Sequence, residues 1–263
     1  MSAWTGGPVS ERAHCVLAPN ASPMTLEGTN TWVLADPGGR QSVVIDPGPL
    51  DEGHLAAVLA RATEGDRSVG LVIVTHRHPD HTEGAARFAE LAQAPVRAVE
   101  AEFRERGGGG LDEGERITVD GLDLDVLATP GHTSDSVTLL LPADRAILTG
   151  DTVLGRGTTV VAHPDGKLAD YLASLERLHA LTPEPVSVVY PGHGAVLPNA
   201  GEAIAYYLHH RQERLEQVRA AVEAGDKTPR QVVERVYADV DQALWPYAEW
   251  SVAAQLEYLG VQA

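Results

Sequence analysis

Several features that define other protein classes are scarce or missing in this chain of 263 residues. Cys15 is the only cysteine, so no intramolecular disulfide can form, and this count is typical of a reducing compartment. We interpret its thiol as a small core residue. No apolar run approaches the roughly 20 residues of a membrane span, and the first residues lack the basic start and apolar stretch of a secretory signal. We therefore expect a cytoplasmic protein with no membrane partner.

Basic residues are also scarce, with 20 Lys and Arg against 37 Asp and Glu, which gives a formal net charge of −17. A negative surface repels polyanions at long range and slows association with nucleic acid unless a local basic groove compensates. The sequence contains no basic run that would build such a groove. The charge balance therefore favours a small-molecule substrate and leaves RNA as the second alternative.

Histidine, in contrast, is concentrated in one short stretch, residues 75–81. The apolar segment 70–74 before it predicts a buried strand, and the pattern after it predicts a helix capped by Thr82. Grouped imidazoles beside a carboxylate repel one another when they protonate, which a structural role does not explain but a bound cation does. The stretch therefore predicts a metal site in a strand-to-helix turn. Its candidate ligands are His76, His78, Asp80 and His81.

Three later segments repeat the same pattern, in which an apolar strand ends at a small or rigid residue and one metal-competent side chain follows. These side chains are His132, Asp151 and His193. Five histidines and two aspartates exceed the needs of one tetrahedral ion and suit two divalent ions, about 3.5–4 Å apart, that share a hydroxide. The sequence thus predicts a site with two metal ions. Zinc is the first expectation, with manganese or iron(II) as alternatives.

Hydrophobic patterning predicts two sheets with helices outside them, followed by a helical region. The predicted strands lie at 14–18, 29–35, 42–48, 70–74, 96–99, 117–119, 122–127, 137–141, 146–148 and 186–190. Helical patterns at 51–62 and 168–181 would cover the sheets. From about residue 199 only helices are predicted, at 200–224, 229–238 and 247–259. We therefore divide the chain into residues 1–198 and 199–263.

The order HxHxDH, then His, Asp and His on successive strand ends, resembles the metallo-β-lactamase superfamily over roughly residues 14–198. The resemblance implies a four-layer αββα sandwich. It also implies a role for each candidate ligand. His76, His78 and His132 would hold the first metal, Asp80, His81 and His193 the second, and Asp151 would bridge them. Asp46 matches a position that supports the site through hydrogen bonds rather than by ligation.

Residues 24–32, 154–160 and 190–194, with the helical tail, resemble the β-lactamase-like protein 2 family. Members of that family carry a small winged-helix-like C-terminal domain, and some are described as single-strand endoribonucleases. Because the sequence ends at Ala263, soon after the last predicted helix, we expect a truncated version of that domain. We expect its helices to flank the pocket, with three aromatic rings packed on the hydrolase core. These rings belong to Trp245, Tyr247 and Trp250.

The resemblance implies a hydrolase in which a metal-bridging hydroxide attacks a carbonyl or phosphoryl centre. Asp80 would act catalytically by orienting the nucleophile or by passing a proton to the leaving group. A small-molecule ester or thioester is the first expected substrate, single-stranded RNA the second and a β-lactam the third. β-Lactamases of this fold resemble the pattern but carry cysteine or serine where this chain has Asp151.

Four residues are candidates for substrate contact because they lie in the family-like segments or close to them. They are Asn30, Thr158, Thr159 and His163. Arg77, between two candidate ligands, either faces a substrate anion or forms a surface ion pair. The other histidines are interpreted as structural. They are His14, His54, His179, His209 and His210.

Overall fold

The computed structural model describes residues 3–161 and 163–261. Its first sheet has six strands whose order in space follows the chain. They are β1 (Gly7–Pro8), β2 (Ala13–Leu17), β3 (Asn30–Leu34), β4 (Gln41–Ile45), β5 (Ser68–Ile73) and β6 (Val96–Arg97). Strands β1 to β4 pair antiparallel, and β4, β5 and β6 pair parallel.

The second sheet has five strands in the order β11-β10-β9-β8-β7. They are β7 (Arg116–Val119), β8 (Leu122–Ala128), β9 (Val137–Leu141), β10 (Ala146–Leu148) and β11 (Val188–Tyr190). Only β10 and β11 pair parallel in this sheet. The predicted strands therefore exist, although the predicted segments 96–99 and 186–190 pair over fewer residues than expected.

Seven α-helices complete the described part of the chain. They are α1 (Glu52–Ala62), α2 (Pro79–Thr82), α3 (Ala85–Ala92), α4 (Leu168–Ala180), α5 (Ala200–Glu223), α6 (Pro229–Val236) and α7 (Trp245–Tyr258). One apolar cluster fills the space between the sheets, a second lies under α1 and α3, and a third lies under α4 and α5. The predicted αββα sandwich is confirmed. Within the described residues, no helix is long and apolar enough to cross a membrane.

The helix predicted after the histidine cluster corresponds to α3, which begins later than predicted because the short helix α2 comes first. Pro79 starts the short helix α2 directly after His78, because proline is favoured at the first helical position. Thr82 is the last residue of α2, and its hydroxyl donates to the carbonyl oxygen of His78. The next helix, α3, begins after Gly84. The prediction that Thr82 caps this helix was wrong.

In the part that the structure describes, the C-terminal region consists of helices and has no β-hairpin wing. The segment between α6 and α7 contains a 3-10 turn at Gln242–Leu244 instead. Thr228 caps α6 in a capping box with Gln231. The prediction for Trp245 was wrong: its ring is buried in a separate C-terminal core with Val218 and Val252, instead of on the αββα sandwich. Helix α7 packs mainly against α6, and it also contacts α5 and, outside the C-terminal region, α4.

Candidate metal centre

The topology brings the predicted ligands to one edge of the two sheets. Strands β4 and β5 run parallel, as do β10 and β11, so their carboxyl ends lie side by side. Strand β8 runs in the same direction as β10, because both are antiparallel to β9 between them. The seven side chains follow four of these strand ends, and Asp46 follows β4. Residues distant in sequence therefore meet in one cluster.

One half of the cluster consists of His76, His78, His132 and Asp151. The Nδ1 atom of His78 lies 3.1 Å from Nε2 of His76 and 2.9 Å from Nε2 of His132. Asp151 Oδ2 lies 3.7 Å from Nε2 of His132 and 4.0 Å from Nε2 of His76. Ligands about 2.0–2.2 Å from a tetrahedral ion are roughly 3.3–3.6 Å apart. The separations bracket this range, so these residues fit one ion.

The other half consists of Asp80, His81 and His193. Asp80 Oδ2 lies 3.2 Å from Nε2 of His193 and 3.4 Å from Nε2 of His81, and the two Nε2 atoms are 3.3 Å apart. These spacings also match the edges of a metal coordination shell. A divalent ion of the zinc class takes this combination of imidazole nitrogen and carboxylate oxygen.

Asp151 contacts both halves. Its Oδ1 atom lies 3.5 Å from Nε2 of His81, while Oδ2 lies 3.3 Å from Nε2 of His193 in addition to its contacts with the first half. Oδ1 is buried and receives no hydrogen bond from the described residues. Since a buried carboxylate oxygen without a donor is costly, its position favours a cation as the missing partner.

Hydrogen bonds at the outer ring nitrogens orient the imidazoles. His81 donates from Nδ1 to Asp46 Oδ2 at 2.8 Å, and His132 donates from Nδ1 to the carbonyl oxygen of Val160 at 2.6 Å. Asp46 itself accepts from the Thr75 amide at 2.7 Å and from the Thr75 hydroxyl at 2.8 Å. A donor at Nδ1 leaves the Nε2 lone pair facing the cluster, as metal ligation requires.

The electrostatics of the cluster favour positive charge at its centre. Burial lowers the pKa of His132 to about 4 and holds that of His76 well below its usual value, so both rings stay neutral, as ligands must. Burial also opposes protonation of His81, yet the carboxylates of Asp80, Asp46 and Asp151 raise its pKa to about 9. The carboxylates thus stabilise a cation strongly enough to overcome desolvation.

Two adjoining cavities open at the cluster. The smaller one, the metal cavity, has a volume of about 190 Å³ and is lined by candidate ligands, Met24, Thr25 and Trp250. The larger one, the interdomain cavity, has a volume of about 420 Å³ and lies between the αββα sandwich and the C-terminal helices. His132 and Asp151 line both cavities. A ligand in the interdomain cavity can therefore reach the candidate metal ligands.

The wall of the interdomain cavity is mostly apolar. The residues on its sandwich side include Met24, Leu26, Leu154, Arg156, Thr158, Thr159 and Val160. Those on its C-terminal side include His210, Arg211, Tyr237, Val240, Leu244, Tyr247 and Ser251. Of the candidates for substrate contact, Thr158 and Thr159 line this cavity. The C-terminal helices flank the pocket, as expected from the sequence. Trp250, however, remains 48% exposed beside the metal cavity instead of packing on the core of the sandwich.

Asn30 does not face either cavity, contrary to its prediction as a substrate contact. It is fully buried, and its amide donates to the carbonyl oxygens of Pro191 and Gly194. These bonds hold the segment that carries His193 in place. The role of Asn30 is therefore structural, and it accounts for the family-like sequence around this residue without substrate binding.

His163 is also absent from both cavity walls, and its Nε2 lies 3.1 Å from the Glu257 carboxylate on α7. This contact joins the two regions of the chain. Arg77 forms an ion pair with Asp165 at 3.2 Å, which is the second of the two alternatives considered for it.

Sequence reasoning missed the C-terminal residues that line the interdomain cavity, among them Arg211 and His210. A signal for Arg211 existed: it lies at helical spacing from Tyr207, Leu215 and Val218, so it is a charged residue on the buried stripe of α5. His210 had been interpreted as structural, but it lies in the cavity wall with Nε2 3.4 Å from the hydroxyl of Thr158.

Comparison with known families agrees with this geometry. The family described as the metallo-beta-lactamase superfamily matches residues 24–193. The chain belongs to the metallo-beta-lactamase superfamily. The family described as the beta-lactamase associated winged helix domain matches residues 228–260, and both the fold and the resemblance inferred from the sequence are confirmed. This superfamily member is a metal-dependent hydrolase with a His/Asp cluster suited to metal.

Relatives in this superfamily cover most of the chain. The beta-lactamase-like protein 2 homolog of Caenorhabditis elegans is 31% identical over 239 residues, which are 88% of this chain and 78% of the relative. The atrochrysone carboxyl ACP thioesterase of Aspergillus fumigatus is 32% identical over 228 residues, which are 85% and 69% of the two chains. A beta-lactamase domain protein from Burkholderia ambifaria superposes with a TM-score of 0.82 at 24% identity, covering 97% and 87%. This last likeness concerns the fold alone.

Proposed function

We propose that the chain hydrolyses small-molecule thioesters or esters with two zinc ions at the His/Asp cluster. The observation that carries the proposal is the interdomain cavity of about 420 Å³, whose wall includes His132 and Asp151. Pockets of roughly 300–1,000 Å³ with apolar walls and few polar groups are typical sites for small ligands. An acyl group held there would present its carbonyl carbon to the cluster.

The charge distribution supports a small molecule over RNA. A nuclease neutralises several phosphates with free cations, but two arginines of the C-terminal helices are paired with carboxylates. Arg230 pairs with Glu234 and Glu249, and Arg235 pairs with Asp226. The relative named as an ACP thioesterase, 32% identical, adds support for a thioester substrate.

Each half of the cluster would hold one ion, with Asp151 bridging them and Asp46 keeping His81 in position. Ions bound there supply a water of lowered pKa as nucleophile and polarise the carbonyl oxygen of the substrate. Asp80 accepts a hydrogen bond from the Thr29 hydroxyl at 3.0 Å, which fixes the carboxylate beside the cluster. We infer that Asp80 orients the attacking water or returns a proton to the leaving group.

The test compares metal-loaded wild type, His78→Ala and His179→Ala, an exposed histidine on α4 that serves as the control. Each is incubated with a panel of acyl thioesters and esters and with labelled single-stranded RNA. The proposal expects turnover of at least one ester or thioester by wild type and His179→Ala, and none by His78→Ala. RNA cleavage at physiological salt that His78→Ala abolishes, with no ester or thioester turnover, would replace this function with a nuclease.

A further inference from the structure

Arg211 is a buried cation in the wall of the interdomain cavity. The residue is 4% exposed, and its Nη2 group donates to the carbonyl oxygen of Thr159. Its guanidinium carbon lies 4.9 Å from the centre of the Tyr171 ring. Its Nε atom is buried and has no acceptor among the described residues. The side chain therefore has donor capacity that its surroundings leave unused.

A guanidinium does not lose its proton in a protein, so burial of Arg211 places a permanent positive charge away from water. Such a charge is costly unless an anion pairs with it. Within residues 3–161 and 163–261, Arg211 forms no ion pair, whereas Arg156 in the same wall pairs with Glu27. The contacts with Thr159 and Tyr171 are to neutral groups and leave the charge without an anion.

We propose that Arg211 binds a carboxylate carried by the acyl group of the substrate. The inference rests on the proposed function for the bond that is cleaved, and it adds that the enzyme selects thioesters or esters of dicarboxylic acids. Arginine suits this task because its planar N–H groups match the two oxygens of a carboxylate. Arg211 is thus a specificity-determining residue, with no part in breaking the bond.

The distance from Arg211 to the candidate metal ligands favours a short diacid. Only Thr159 separates them: its carbonyl oxygen accepts from Arg211, and its hydroxyl lies 3.2 Å from Nδ1 of His132. One small molecule can therefore place its scissile carbonyl at the cluster and its far carboxylate at Arg211. A phosphate would carry about −1.5 to −2 charges, and one buried cation would leave part of that charge unpaired, so a carboxylate monoanion fits better.

Binding of unreactive probes tests the proposal without turnover. Calorimetry on the zinc-loaded chain compares glutarate with glutaramate, which replaces one carboxylate by a neutral amide, and with propyl phosphate. Because both glutarate and glutaramate keep one carboxylate for the metal, their difference reports the second anionic group. We expect wild type to prefer glutarate about tenfold, the size of a charge-assisted hydrogen-bond pair. Succinate and adipate, each with its monoamide, extend the test to other lengths.

Arg211→Gln removes the charge but keeps an amide donor for the Thr159 carbonyl, so we expect it to bind glutarate and glutaramate equally. Arg211→Lys should recover part of the preference. Arg219→Gln, on the exposed face of the same helix, should behave as wild type. Zinc content is measured in every sample, so that an Arg211 variant that loses metal is recognised.

Equal binding of each diacid and its monoamide by wild type would overturn the proposal even if every Arg211 variant failed to fold. An unchanged preference in Arg211→Gln, or tighter binding of propyl phosphate than of any diacid, would do the same. A chain that prefers diacids but cleaves no thioester or ester would instead defeat the proposed function and leave the anion site standing.

Discussion

Asp46→Asn replaces one oxygen of a buried carboxylate that accepts three hydrogen bonds. Oδ1 accepts from the Thr75 amide, and Oδ2 accepts from the Thr75 hydroxyl and from His81 Nδ1. An asparagine presents one oxygen and one NH₂ group, so in either orientation its NH₂ faces a donor of the wild-type site. At least one buried donor then loses its acceptor.

An unpaired buried donor costs about 1–3 kcal/mol of unfolding free energy. Metal binding should weaken as well, because the carboxylate aligns His81 and makes its ring more basic. Loss of such a hydrogen-bond partner lowers metal affinity about 10–100-fold in comparable sites. We therefore expect weaker zinc binding together with a modest loss of stability.

Competition with a chromophoric chelator measures zinc affinity, and urea unfolding of the same samples measures stability. Asp51→Asn is the matched control, since Asp51 caps α1 by accepting from the His54 amide and asparagine caps helices equally well. If Asp46→Asn binds zinc within twofold of wild type, Asp46 does not position His81 and the hydrogen-bond argument fails.

Three further predictions concern the backbone, the pH dependence and the C-terminal helices. Gly192→Ala should reduce metal content, because the added Cβ would lie 2.4 Å from Asp151 Oδ1. Gly109→Ala is the control and should not change it, because the nearest atom would lie 3.9 Å from the added Cβ. Elemental analysis of the two variants compares their metal content. Burial lowers the pKa of His54, so the unfolded chain binds a proton more readily and stability falls as pH drops below about 6.5. Urea unfolding should show that the stability of His54→Gln depends less on pH than that of the wild type. An unchanged pH dependence would contradict this role of His54. Thr228→Ala removes the cap of α6 and should cost about 1 kcal/mol in urea unfolding, while no loss would show that the capping box is dispensable.

Much of the fold was predictable because its signals are local. Strands β9 and β10 were predicted with the bounds that the structure has, since apolar runs flanked by turn residues leave little alternative. The candidate ligands were predictable for a related reason: parallel strands place their carboxyl ends at one edge, so polar residues after apolar runs converge. The proline that follows Thr228 likewise marked the start of α6.

The remaining features depend on contacts between distant segments. Asn30 resembles a binding residue in sequence, but its partners at Pro191 and Gly194 lie more than 160 residues away and are visible only in the fold. Helical spacing puts Arg211 on a buried stripe, yet it does not reveal that the stripe borders a cavity. Trp250 and Trp245 lie on one helix, and only the packing of α7 shows that one ring is exposed and the other is buried.

Metal stoichiometry tests the central proposal most directly. Elemental analysis of the reconstituted wild type and of Asp151→Ala counts the ions held by the two halves of the cluster. We expect two divalent ions per wild-type chain, because the two ligand groups each match a coordination shell and Asp151 contacts both. Asp151→Ala should lose the second ion and most of the hydrolytic activity. One ion or fewer per wild-type chain after reconstitution would contradict the proposal.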